Sequence, residues 1–579
     1  VKKKYNLLLL LVILIIGGVF RWTGLNWDQG FHLHPDERFL TMVVNKSRLP
    51  KNLFQYLDPK TSLLNPHNLD FDFFVYGHTP LTFNKIVAVL AQNDTYNQLP
   101  LQGRFFSGLA DLLIVIIIYK IGQILEQKYK LNSFFKVWAC LIYALMVVPI
   151  QQSHYFTVDN FLNFFSLMSF YFALLYKNRF KTRYLALSSL FLALAIGSKL
   201  TAVLILPLNL WFITNANDRL INLLAKKKDQ KIAQALGKLA FEALIFLFFS
   251  YLFLRIVDPY LFETASWLDF RPNQQFIQNL KSLKSSEGAE VWYPPAIQWI
   301  STKPIIFALK NIVIWGIGPF IALATGFGLT QLIPQLLSLT EIDDNQDKFN
   351  LAIVIVWITV YFLYQSTRFV KTIRYFLPLY PFIALIAGYG LTKINQKISQ
   401  SYRFIVNTII LGLLGLWPLM FLSVYVTPNT RIKASHWVHQ HVPDRSTILI
   451  EHWDDPLPLS MPQYKKSFTQ RELPVFNPDT QKKWEKINSY LKKGDYYILS
   501  SNRAWGSITQ VPNKYPSMSR YYQDLLSNQT QYKKVAEFTS YPGLKYLGIP
   551  VEIKDDQAEE AFTVYDHPKV MIFKNKFAN

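Results

Sequence analysis

The chain of 579 residues is 51% hydrophobic and 16% aromatic but only 17% charged, against roughly 25% charged in an ordinary soluble domain, which excludes a disordered or collagen-like polypeptide. Its single cysteine, Cys140, excludes an intrachain disulfide framework and a thiolate metal cluster within one chain. The formal charge of +22 invites a nucleic-acid reading, but the Lys and Arg residues lie mostly between apolar runs, so the charge reads as membrane topology and no nucleic-acid partner is expected.

Lys2, Lys3 and Lys4 precede an apolar run from Leu7 to Phe20 with no small-x-small cleavage pattern, which predicts an uncleaved first span. Ten further apolar stretches follow near 105–122, 134–150, 158–176, 184–196, 200–214, 239–257, 305–330, 350–366, 376–392 and 404–426. A multi-pass α-helical membrane protein of about eleven spans is expected, although the pair around Gly197 is short for a hydrocarbon core of about 30 Å. Basic clusters mark the cytoplasmic loops: Lys120 to Lys136, Lys177 to Arg183, Arg219 to Lys231, and Lys393 to Arg403. This parity places the N-terminus in the cytoplasm of a cell with its plasma (inner) membrane around the bundle. Outside lie a long first loop (about 23–104), turns near 151–158 and 367–375, a loop of about 258–304, and everything after about 427. Residues 1–426 thus form the membrane domain. Residues 427–579, with Pro-rich turns and short runs such as Thr447 to Ile450, Tyr496 to Leu499 and Val570 to Phe573, read as a small extracytoplasmic α/β domain.

Chemistry-bearing residues gather in the outer segments. The first loop carries His34-Pro35-Asp36-Glu37, followed by a run from Phe39 to Lys46 spaced as a short surface helix. Neighbouring positions point different ways, so Asp36 and Glu37 are expected to serve different tasks. The next outer turn, His154-Tyr155-Phe156-Thr157-Val158-Asp159, puts Asp159 at a helix mouth, either as an N-cap or facing a cavity. Lys199, in Gly197-Ser198-Lys199-Leu200-Thr201, and Arg374, in Arg374-Tyr375-Phe376-Leu377-Pro378, are either snorkelling anchors or binding groups. Two acidic and two basic sites on one side suit a reaction on a lipid phosphate: cations hold the anion, and a carboxylate takes a proton from the attacking acceptor. His32, His34, His78 and His154 with the carboxylates could form a metal site, but their spacing fits no specific ligand motif. No cofactor is assigned and a divalent metal stays open.

These motifs, with Gly103-Arg104 at the start of the second span, resemble the polyprenyl-phosphate-dependent glycosyltransferases of the GT-C fold, in the superfamily of protein O-mannosyltransferases and lipid A aminoarabinose transferase. The resemblance covers most of the membrane part. It implies a catalytic membrane domain, Asp36 as base with Glu37 beside it, Asp159 as a further catalytic-site residue, Lys199, Arg374 and Arg104 near the donor phosphate, and His34, His154 and Tyr375 near substrate. It also implies an inverting transfer of a sugar from a polyprenyl-phosphate carrier to a lipid, glycan or protein acceptor of the cell envelope. The aromatic groups Trp292-Tyr293-Pro294-Pro295 and Gln298-Trp299 could contact a sugar or prenyl chain, and the Glu451-His452-Trp453-Asp454-Asp455 run forms an attractive acceptor-contacting edge. Unlike the eukaryotic mannosyltransferases, the chain has no room for β-trefoil repeats in an internal loop. Two rival readings remain: a transporter or flippase of a lipid-linked substrate, with the Gly197 break as its midplane site, and a membrane-anchored binding protein whose C-terminal domain does the work.

Overall fold

The computed structural model describes residues 2–214, 229–337 and 345–577. The basic cluster Arg219 to Lys228 lies outside them. Helix α1 (Lys2–Trp22) exposes Leu8, Leu11, Ile15 and Val19 and buries Ile13, Phe20 and Arg21, the helical period of a lipid-facing stripe opposite a packed one. After a long loop that contains α2 (Pro35–Lys46) and α3 (Thr79–Leu90), α4 (Leu99–Lys128) returns through the bundle. Its small residues let other segments approach closely: a Cβ at Gly103 would meet the Phe156 ring at 2.2 Å. Inside the bundle, Arg21 of α1 pairs with Asp111 of α4 at 2.7 Å, and Tyr143 donates to the same carboxylate at 2.6 Å. Buried ions in a membrane interior require such partners.

A bent pair follows, α5 (Phe135–Ala144) and α6 (Val147–Ser153), turning by 53°. Then come α7 (Asp159–Arg179), α8 (Thr182–Ile196), α9 (Asp229–Val257), α10 (Pro319–Leu337), α11 (Asn345–Thr367), α12 (Tyr380–Lys397) and α13 (Arg403–Val426). Among the described residues, seven helices are long and apolar enough to cross a membrane, or eight if the bent pair is one span. The expected eleven is therefore not reached. Thr182–Ile196 and Leu200–Thr214 are shorter than a span, and α7 buries Asn160, Asn163, Ser166 and Ser169 against other helices, which lowers its hydropathy.

The C-terminal residues build a five-stranded mixed sheet in the order β2-β1-β3-β5-β4, from β1 (Thr447–Glu451), β2 (Thr469–Leu473), β3 (Tyr496–Leu499), β4 (Tyr532–Phe538) and β5 (Val570–Asn575). Strands β2, β1 and β3 run parallel, and β5 is antiparallel to both β3 and β4. Alternation sorts the central side chains onto two covered faces: Leu449, Tyr497, Leu499 and Phe573 join one core, and Ile448, Tyr496, Ile498 and Ile572 the other. The carboxyl ends of β1 and β3 open toward the membrane bundle, where Arg38 of α2 reaches Asp455 at 3.2 Å.

Candidate active site

Helix α2 begins at Pro35, whose fixed φ and missing N–H suit a first helical position. Its N-cap is His34, whose Nδ1 accepts from the Glu37 N–H at 3.2 Å. Burial drives the His34 pKa down to about 4, so the ring is neutral and Nδ1 is free to accept. The ring lies between Tyr155 and Tyr565, with centroids 4.4 and 4.2 Å away. Consecutive residues on a helix diverge by about 100°, and Asp36 and Glu37 accordingly enter different surroundings.

Glu37 turns into the protein. Its Oε2 accepts from Arg104 Nε at 2.9 Å and from the Phe156 N–H at 2.6 Å, and its Oε1 is also bonded to Arg104. Arg104 Nη1 and Nη2 donate to Asp28 at 3.0 and 2.8 Å, and Nη1 also to the Leu25 carbonyl at 2.8 Å. All five guanidinium N–H donors are thus engaged, with the Trp27 ring 5.1 Å from the guanidinium carbon. The side chains of Arg104 and Glu37 are 1% and 0% exposed. This network ties the first loop to α4 and to the turn before α7.

Asp36 turns the other way and accepts from Arg374 Nη1 at 2.6 Å, with side-chain exposures of 23% and 19%. Burial alone would raise the Asp36 pKa, but Arg374, His34 and Lys199 outweigh it and hold the carboxyl at about 2. Arg374 sits in a 3-10 turn, Ile373–Leu379, whose first N–H donates to Glu559 Oε2 at 2.7 Å. The next residue, Tyr375, lies 4.5 Å beneath Lys199 Nζ. Lys199, in extended backbone before the Leu200–Ile205 turn, pairs with Asp159 Oδ1 at 2.8 Å. Asp159 is the first residue of α7 and Val158 is its N-cap, so this carboxylate faces Lys199 instead of capping. Tyr76 of the first loop is within electrostatic reach of Asp36, Arg374, Tyr375 and Asp159. The four ionic groups, separated by up to 338 positions, therefore share one cluster around two tyrosines, with Asp36 and Arg374 its most open members.

The first loop also fixes the position of Lys199. The Gly77 and Thr79 N–H groups donate to the carbonyls of Ser198 and Gly197 at 3.0 and 2.9 Å, and His78 is held by Asp258 at 2.7 Å. His154 lies away from the open cluster. Its ring nitrogens sit 2.9 Å from the carbonyls of Ile150 and Thr23, and it stacks on Tyr425 at 3.5 Å, pinning the end of α1 to α6 and α13. Sequence reasoning missed Tyr76, Glu559 and the Tyr565-Asp566-His567 run. His567 bridges Asp555 and Asp566 at 2.8 and 2.5 Å, and Asp566 accepts from Tyr425 at 2.7 Å and Gln151 at 3.1 Å. Consecutive aromatic, acidic and basic residues before the last strand were the available signal.

Among the described residues no group of three or more His, Cys, Asp or Glu side chains is arranged to hold a metal ion. The carboxylates of Asp36 and Asp159 are each turned to a cation. An apolar cavity of about 330 Å³ lies between helices beside Lys128, Lys348 and Lys393, and is not lined by the Asp36–Asp159 cluster.

Residues 96–253 match a family described as dolichyl-phosphate-mannose-protein mannosyltransferase, a stretch that holds Arg104, Asp159 and Lys199. No curated protein matches the chain in sequence. Among solved structures, the chain is similar to the archaeal oligosaccharyltransferase AglB from Archaeoglobus fulgidus in complex with an inhibitory peptide and a dolichol-phosphate. The TM-score is 0.55 at 12% identity, covering 99% of this chain and 89% of that one. The Archaeoglobus fulgidus oligosaccharyltransferase tethered to an acceptor peptide with the NVT sequon gives 0.51 at 10% identity, with the same coverage. A looser likeness, 0.42 at 12% identity over 76% of this chain and 72% of the other, is to ArnT from Cupriavidus metallidurans bound to undecaprenyl phosphate. The first two show the fold: the chain shares the overall architecture of these Archaeoglobus fulgidus structures.

Proposed function

We propose that this protein moves a sugar from a polyprenyl-phosphate carrier to an acceptor on the extracytoplasmic side of the membrane. The observation that carries the reading is the convergence of Asp36, Arg374, Lys199 and Asp159 around Tyr375, on a fold shared with an oligosaccharyltransferase in complex with a dolichol-phosphate. The basic loops predicted by the sequence support the assignment of sides.

In this reading Arg374 and Lys199 take the donor phosphate, the guanidinium through two parallel N–H donors. Each cation now holds a carboxylate, so an incoming phosphate exchanges for one anion instead of meeting a bare charge. Losing Arg374 frees Asp36 from the partner that most depresses its pKa, and its basicity rises as the donor binds. Asp36 then accepts the proton of the acceptor nucleophile as it attacks the anomeric carbon. The glycosidic C–O bond breaks with its electron pair on the phosphate, whose second pKa of about 6 lets it leave without a general acid. One displacement inverts the anomeric centre. Glu37, Arg104, His34 and His154 act as positioning residues: they hold α2 and the Phe156 turn so that Asp36 and Asp159 face one another across the donor.

Asp36→Asn should lower turnover by roughly 10²- to 10⁴-fold while polyprenyl-phosphate binding persists. Arg374→Ala and Lys199→Ala should each weaken donor binding by about tenfold or more, the value of a hydrogen bond to a charged group. Transfer assayed with radiolabelled prenyl-phosphate sugars and purified protein reads both effects. Full activity in Asp36→Asn removes Asp36 as base, and lipid movement across vesicles without sugar transfer would favour a flippase.

A further inference from the structure

The loop after β1 carries a bulky side chain in a backbone conformation that bulky residues avoid. Trp453 has φ +69°, in the left-handed region, where a large non-glycine residue is an outlier. Its carbonyl is held by Arg503 Nη1 at 2.7 Å, and Arg503 is in turn fixed by Glu560 at 2.7 Å. The ring meets Trp292 at 6.0 Å and Tyr293 at 5.8 Å, both edge to face. The Trp292 ring is oriented by its own Nε1–H, which donates to the Phe476 carbonyl at 2.9 Å. Even so, Trp453 and Trp292 remain 41% and 49% exposed. Strain is retained where something else determines the conformation, and here it keeps two indole rings fixed and open.

The surroundings indicate what those rings meet. The loop lies at the carboxyl ends of the parallel strands β1 and β3, the edge where open α/β sheets take their ligands. Tyr293 links it to the catalytic cluster, lying within electrostatic reach of Asp36, Tyr375 and Arg374. A lipid-interface tryptophan would need neither the left-handed backbone nor the Arg503–Glu560 brace.

We propose that Trp453, Trp292 and Tyr293 form a stacking platform for a saccharide ring of the acceptor, so that the acceptor is a glycan or glycoconjugate. This rests on the transferase reading above and adds the acceptor class. The apolar faces of a pyranose pack on indole, while its hydroxyls stay hydrated or meet the polar groups of the loop.

The test uses full-length protein in nanodiscs on an array of hexose- and N-acetylhexosamine-terminated oligosaccharides, with undecaprenyl-phosphate binding measured on the same preparation. Wild type should bind a subset of the oligosaccharides. Trp453→Ala and Trp292→Ala should lose about tenfold in that binding, as tryptophans central to a contact do, and Trp453→Phe should keep most of it. Trp453→Gly relieves the backbone strain and removes the ring, so it should lose binding without a lower melting temperature. The platform is overturned if no oligosaccharide binds, if Trp453→Ala binds as wild type does, or if brominated lipids quench the part of the tryptophan fluorescence that Trp453→Phe removes. Loss of undecaprenyl-phosphate binding alone counts against the transferase reading and leaves the platform standing.

Discussion

Asp36 and Glu37 are adjacent acids with opposite surroundings. Glu37 meets a fully engaged arginine and a backbone N–H and has no exposure; Asp36 meets one arginine across a partly open gap. The sequence shows that adjacent helical positions diverge, but not which of the two turns inward, because that depends on where α4 brings Arg104. The same holds for the cations: Arg104 and Arg374 look alike as arginines near predicted span ends, and only tertiary contact gives one three carboxylate and carbonyl partners and the other a single carboxylate. Glu37→Gln should therefore act on stability. The substitution keeps the Arg104–Asp28 pair but sets an amide N–H₂ against the N–H donors of Arg104 and Phe156, leaving buried donors unmet at a cost of about 1–3 kcal/mol, read as a lower melting temperature in detergent. Asp36→Asn should change that temperature little. If Glu37→Gln melts as wild type does but loses turnover, Glu37 belongs with the reacting groups after all.

At the scale of elements, hydropathy located the lipid-facing helices, since α1, α9 and α10 carry long apolar stretches. It overcounted where short or polar helices pack inside the bundle, because a helix buried among others needs neither the length nor the uniform apolarity of a lipid-exposed one. What hydropathy could not reveal was the contact between the first loop and the break after α8. Gly77 and Gly197 meet backbone to backbone: a Cβ at Gly77 would stand 2.0 Å from the Gly197 carbonyl oxygen, and one at Gly197 would stand 2.4 Å from Thr79 Oγ1. No flexible side chain can yield at Gly77, so Gly77→Ala must displace the backbone that leads into Lys199. The expected result is an increase of about tenfold in the KM for the donor, from an overpacking cost of about 1–3 kcal/mol, with a smaller effect on kcat. An unchanged KM would show that Lys199 is placed by its pairing with Asp159 alone.

Over the whole molecule, the C-terminal sheet is joined to the membrane bundle through buried ionisable groups, which makes the joint sensitive to pH. The sequence made the strands legible through their alternation, but not the role of the last turn before β5, because Tyr565, Asp566 and His567 acquire meaning only against His34, Gln151 and Tyr425, far away in the chain. Burial would lower the His567 pKa, but the flanking carboxylates of Asp566 and Asp555 raise it from 6.5 to about 10, so the imidazolium is the folded form at neutral pH. Burial raises Glu451 from 4.5 to about 8 against the opposing hydroxyls of Tyr497 and Tyr522, so it is protonated when folded. Both groups bind their proton more tightly in the folded state, and both contributions fall as pH rises. That of Glu451 is complete below about 4.5 and gone by about 8; that of His567 is complete below about 6.5 and gone by about 10. The depressed Asp36 acts with the opposite sign, but only below its ordinary pKa of 3.8, outside this window. Burial also lowers His34 and His452 from 6.5 to about 4, and these act with the opposite sign between about pH 4 and 6.5, so the melting temperature should fall from about pH 6.5 to pH 10. Glu451→Gln should make the slope shallower below pH 8 and leave it intact above, whereas His567→Gln should flatten the upper part and lower the whole curve, since it leaves Asp555 and Asp566 without their shared cation. A flat wild-type profile, or an upper slope that survives in His567→Gln, would remove the protonated histidine from the joint between the two parts.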